Sequence, residues 1–110
     1  MALEVTRWPE DLPLTLDTVS HIWAQQGFDC ALWIDPPGQA WIDFVHPTDE
    51  LVLVKEGVVE LEVEGERVTL YPGDQLLIPA GKIHSMWNRG EKPACWFYGY
   101  RRYPVKFGVA

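Results

Sequence analysis

The chain is predicted to fold as an all-β sandwich or barrel with one short helix near its start, and three observations predict it. Beyond residue 28 the apolar residues fall in short runs, the clearest of them with a period of two. Gly, Pro, Asp or Asn closes each run where the backbone must bend. Only one stretch, ahead of these runs, carries a helical period. A length of 110 residues allows one core and no second folding unit. Such a chain buries roughly two-thirds of the surface its unfolded form exposes, so a bound metal is expected to serve chemistry more than folding.

The helix is expected after Asp17, a residue suited to cap it, with Val19, Ile22 and Trp23 as its apolar stripe and Gly27 just past its end. Residues 1–27 are therefore expected to form a helix-bearing segment that packs on the barrel or on a partner subunit, and residues 28–110 the barrel itself. Its strands are expected in "FDCALWI", "AWIDFVH", "ELVLVKEG", "VVELEVEGE", "RVTLYPGD", "QLLIPAGK", "IHSMWNRGEKP" and "ACWFYGYRR". The clearest hairpin alternates Val59, Leu61 and Val63 with Glu60, Glu62 and Glu64 before a turn at Gly65.

Composition excludes several function classes. The formal net charge is −7, and Lys and Arg are scattered apart from Arg101 and Arg102, so no basic stripe is available to follow a phosphate backbone and no nucleic-acid partner is expected. The apolar runs are too short to span a bilayer and the opening residues do not resemble an export signal, which gives the expectation of a cytoplasmic protein without a membrane partner. Cys30 and Cys95 fit reduced thiols in that compartment. Six tryptophans are many for so small a core, and some are expected to line a cavity or a subunit contact.

The chemistry-bearing residues cluster in two places. By the period-two rule Ile42, Phe44 and His46 share a face, taken as inward because two of them are bulky and apolar. Pro47 argues against a helix, so "PTD" is read as a hairpin loop with His46 ending one strand and Glu50 opening the next. The stretch "GDQLLIPAGKIHSMWN" repeats the arrangement and places His84 just after a turn, with Met86 on the same face. Two imidazoles and a carboxylate suit a divalent transition metal and leave positions open for water, dioxygen or a substrate oxygen. Taken singly, His46 and Glu50 also fit a structural ion pair and His84 a satisfied core histidine. Asn88 is expected to hydrogen-bond a turn, and Asp43 and Asp49 to face solvent or a turn.

These residues also fall on the two sequence motifs of the cupin family of small β-barrels. Gly73, Pro79, Gly81, His84 and Asn88 resemble the second motif at its spacings, and Gly38, His46, Glu50 and Gly57 resemble the first. The resemblance implies a double-stranded β-helix, or jelly-roll barrel, often a homodimer, with a metal such as Fe, Mn, Zn or Ni held by up to three histidines and a glutamate. Phe44 departs from it, occupying the place of the first histidine. Either the site has lost its metal and binds an organic ligand, or the remaining His46, Glu50 and His84 hold the metal beside an apolar wall of Ile42, Phe44 and Met86. Two functions follow: a metal-dependent enzyme acting on a small metabolite by dioxygenase, isomerase or hydrolase chemistry, or a binding or sensor module in which no reaction occurs.

Overall fold

Residues 3–102 are described by a computed structural model, and they form nine strands and one helix. The ends of the two expected segments, residues 1–2 and 103–110, lie outside the described residues. The strands are β1 (Val5–Arg7), β2 (Ala31–Asp35), β3 (Ala40–Phe44), β4 (Glu50–Glu56), β5 (Val59–Val63), β6 (Glu66–Leu70), β7 (Asp74–Ile78), β8 (His84–Trp87) and β9 (Ala94–Tyr100), with α1 (Leu16–Gln25) between β1 and β2. They make two antiparallel sheets, one of five strands in the order β1-β7-β4-β9-β2 and one of four in the order β3-β8-β5-β6, the expected jelly-roll arrangement.

The unbroken apolar run of β4 is explained by its place at the centre of the larger sheet, covered on both faces. Its residues Val52 and Val54 join Leu61, Val63, Leu70, Leu76, Ile78 and Trp96 in a core between the sheets. Leu51 and Leu53 point the other way, where Phe97 of β9 and Val19 and Trp23 of α1 cover them. Because strand residues alternate in direction, Glu50 shares the inward face of Val52 and Val54. Gly99 allows this outer layer to close, since a Cβ there would meet the Asp29 carbonyl oxygen and contact the Trp23 ring at 3.1 Å.

Three features differ from the sequence reading. The helix is capped by Thr15, whose hydroxyl accepts the Thr18 N–H at 3.3 Å, and Asp17 lies instead in the first turn. Two of the loops taken as hairpins, residues 45–49 and 79–83, carry the chain from one sheet to the other: β3 and β8 belong to the four-stranded sheet, β4 and β7 to the five-stranded one. The N-terminal segment contributes a strand that pairs with β7 of the same chain and covers that edge. The hairpin of β5 and β6 is as expected, with Glu64 and Gly65 both at positive φ, as a two-residue turn of this hand requires.

Candidate metal centre and its pocket

The two crossing loops meet at one end of the barrel. Gly81 N–H donates to the His46 carbonyl at 2.9 Å and Ala80 N–H to Asp49 Oδ1 at 2.8 Å, so each loop fixes the other. His46 hangs from the first loop, His84 opens β8 directly after the second, and Glu50 opens β4 between Ile78 and Tyr100. Their donor atoms lie within 4.8 Å of one another. His46 Nε2 is 3.4 Å and His84 Nε2 3.5 Å from the same oxygen, Glu50 Oε1.

That oxygen is the informative atom. Among the described residues it is the one buried side-chain oxygen or nitrogen with no hydrogen-bond partner. Leaving a buried carboxylate oxygen unsatisfied costs on the order of 1–3 kcal/mol or more, and a cation would offset that cost. His84 is oriented to help: its Nδ1 lies 3.1 Å from the Lys82 carbonyl oxygen. A carbonyl can only accept, so Nδ1 carries the proton and Nε2 presents its lone pair toward Glu50. Burial by itself would lower the His84 pKa, but the Glu50 carboxylate and the Lys82 carbonyl outweigh it and raise the value above that of an ordinary imidazole. The set of two imidazoles and a carboxylate therefore fits a divalent transition metal.

Above these residues lies a cavity of about 200 Å³, walled by Trp33, Trp41, Phe44, Met86, Trp96, Tyr98 and Tyr100. The rings form a connected series: Trp41 to Phe44 at 5.8 Å, Phe44 to His84 at 6.5 Å, and Tyr100 edge-on to His46 at 4.9 Å. Burial and the nearby Glu50 charge push the Tyr100 phenol up to about 12, so it stays protonated and able to donate a hydrogen bond.

Phe44 and Met86 thus line the pocket, whereas Ile42 does not: it is 51% exposed. The reason is a register shift between Trp41 and Phe44, where Asp43 adopts φ 58° and its N–H donates to Ser85 Oγ at 2.8 Å. Such a bulge inserts one residue and turns both Trp41 and Phe44 to the same side. Asp49 has the turn role expected of it, accepting the Ala80 N–H and pairing with Arg101 at 3.0 Å. Asn88 likewise staples turns, its amide donating to the carbonyls of Asp35, Pro36 and Lys92 while its oxygen accepts the Gly90 N–H. Cys30 and Cys95 are free thiols, both pushed up in pKa by burial and neither part of the pocket. Trp33, Trp96, Tyr98 and Tyr100 were not singled out from sequence. The last three alternate along β9 at a period of two, which is the signal that places them on one face.

No helix among the described residues is long and apolar enough to cross a membrane. A family model described as a cupin domain matches residues 31–100. The tetracenomycin polyketide synthase protein TcmJ of Streptomyces glaucescens is 32% identical over 78 residues, covering 70% of this chain and 52% of that protein. Polyketide synthase CurC of Streptomyces cyaneus is 35% identical over 81 residues, covering 73% and 52%. The chain spans about half the length of the curated relatives it matches. A solved cupin domain of an XRE-family transcriptional regulator from Enterobacter cloacae aligns with a TM-score of 0.63 at 24% identity, over 94% of this chain and 99% of that one, a likeness of fold.

Proposed function

The chain belongs to the cupin family, and from that premise we propose that it is a metal-dependent protein acting on a small, oxygen-bearing metabolite, with His46, Glu50 and His84 as the metal ligands. The observation that carries this reading is the buried, unpartnered Glu50 Oε1 with two imidazole nitrogens about it. A divalent transition metal bound there supplies a Lewis acid that polarises a substrate oxygen or activates a small oxygen-containing molecule. The chain's own residues do the rest. The Lys82 carbonyl holds the His84 ring with Nε2 inward, the aromatic walls exclude water, and the neutral Tyr100 hydroxyl is available to hydrogen-bond a substrate oxygen.

The names of the two relatives support a polyketide-like substrate, a carbon chain bearing ketone or enol oxygens. Pocket size supports the reaction of one part of such a chain at a time. An enclosed apolar cavity of ~150 Å³ takes up a benzene, so about 200 Å³ seats a ring with its substituents, and the rest of a longer chain would extend through the open mouth.

A second reading, a binding or sensor module without turnover, is favoured by Phe44, which puts an apolar ring beside the imidazoles, and by the absence of a free carboxylate base among the residues lining the pocket. Elemental analysis of untagged protein from metal-replete cells separates the two. Near-stoichiometric transition metal, lost in His84→Ala, is expected. Metal-free wild-type protein would sink the metal reading and leave the binding module.

A further inference from the structure

Behind the pocket wall lies a buried carboxylate that neither motif includes. Asp35, at the end of β2, is 2% exposed and enters no ion pair among the described residues. Burying a carboxylate without a cation is costly unless its oxygens are hydrogen-bonded. Here both donors are indoles: Trp33 Nε1 donates to Asp35 Oδ1 at 2.7 Å and Trp41 Nε1 to Asp35 Oδ2 at 2.8 Å. Trp33 comes from an edge strand of one sheet and Trp41 from an edge strand of the other, so a single side chain ties the two sheets together at the pocket. The backbone of Asp35 is itself held, since Asn88 donates to its carbonyl at 3.3 Å.

We propose that Asp35 is a positioning residue that fixes Trp33 and Trp41 as a rigid aromatic wall, and that this wall selects a planar conjugated ring whose oxygens face His46, Glu50 and His84. This rests on the function proposed above and narrows its substrate. Two hydrogen bonds to one carboxylate lock the indoles at 6.1 Å and 70° to each other, and Tyr98 continues the wall edge-on to Trp33 at 6.4 Å. Free indoles would rotate to suit any apolar shape. Pinned ones offer a fixed set of faces and edges, which reward a flat π-system with stacked or edge-on contacts that a saturated ring cannot make.

The test compares catechol with trans-1,2-cyclohexanediol, which has the same ring size and vicinal oxygens without the π-system; because catechol also chelates zinc through its acidic phenols, the preference that counts is the one in metal-free protein. Both are titrated into zinc-loaded and metal-free protein by calorimetry, with zinc affinity measured separately. Wild type is expected to prefer catechol by about tenfold or more. In Asp35→Asn one of the two accepting oxygens becomes an NH2, which faces an indole N–H and cannot accept it. That variant is expected to lose most of the preference and to change the near-ultraviolet circular dichroism of the tryptophans while zinc affinity stays as in wild type. Trp33→Phe, at a half-exposed position, keeps a ring but removes one donor, and is expected to fall between the two. It decides the matter if Asp35→Asn does not fold. Equal binding of the two ligands by wild type overturns the proposal, and so does an unchanged preference in both variants. A catechol preference that depends on Asp35 in protein unable to bind zinc supports this wall and overturns the metal centre alone.

Discussion

Strands β4 and β9 separate two layers built from the same sequence runs on opposite principles. On the outer side Leu51, Leu53, Phe28 and Phe97 pack against Trp8, Val19 and Trp23 of the N-terminal segment, a cluster built from apolar side chains with the Cys30 thiol at its margin. On the inner side the alternate residues of the same strands run from Val52, Val54 and Ala94 to Glu50, Tyr98 and Tyr100. One layer spends its residues on apolar burial, and the other gives up some of that burial to hold a carboxylate and two imidazoles ready. Stability and chemistry are thus placed on opposite sides of the same strands, and substitutions on the two sides should move them separately.

The largest expected effect is in the outer layer. Trp23 is fully buried, and its indole also donates to Gln75 Oε1 at 3.2 Å. Trp23→Ala is expected to destabilise the protein by about 3–5 kcal/mol in chemical denaturation. Protein that remains folded should bind zinc with wild-type affinity, and a large loss of affinity would mean that the layers are not independent. Glu50→Gln is expected to act in the opposite sense. It removes a buried charge whose Oε1 has no partner, so metal-free protein at a pH where His84 is neutral is expected to gain about 1 kcal/mol while metal affinity falls steeply. Destabilisation of the metal-free protein by Glu50→Gln would show that Glu50 is structural. A smaller effect is expected at the pocket mouth, where Phe44→His offers a further ligand beside rings 6.3 and 6.5 Å away. Metal affinity is expected to rise by about tenfold, or 1.4 kcal/mol, with little change in unfolding free energy without metal.

The outer layer was the more legible in sequence, and the reason is physical. Apolar runs and the stripe of Val19, Ile22 and Trp23 express burial directly, and α1 carries that stripe although it begins at Leu16, ahead of the expected cap at Asp17. The convergence of His46, Glu50 and His84 into a group that could hold a metal is legible too, because short loops can bring only a few side chains to one end of a barrel. Its surroundings were harder. A five-residue loop opened or centred on a proline, VHPTD or PAGKI, looks the same whether it closes a hairpin or crosses between sheets, so nothing local reveals that the connections of β3 to β4 and β7 to β8 change sheet. The bulge at Asp43 adds one residue that a period-two count cannot see, so the count points Ile42 inward where the structure points Trp41. Strand β1 has three exposed residues and no buried face to betray it. Asp35 reads as an ordinary residue before "PPG", since nothing local reveals that two indoles converge on it.

The smallest effect is also the sharpest discriminator between the layers, because it depends on pH near 6.5, where His84 of the inner layer titrates and the thiols of Cys30 and Cys95, raised from 9.0, do not. The folded His84 pKa lies above the ordinary 6.5. A group raised in this way stabilises the folded state fully at pH below its unfolded value, and the contribution is lost as pH rises through the folded value. Metal-free protein is therefore expected to show a shallow fall in melting temperature as pH rises past 6.5. Metal-loaded protein should do the reverse, because the metal needs the neutral imidazole and a proton at Nε2 displaces it as pH falls. His84→Gln should flatten both curves, whereas Trp23→Phe should lower them without changing their slopes. Parallel slopes for the metal-free and loaded wild type would mean that His84 is not where proton and metal compete, and the inner layer would then be a second packing layer with a pocket in it.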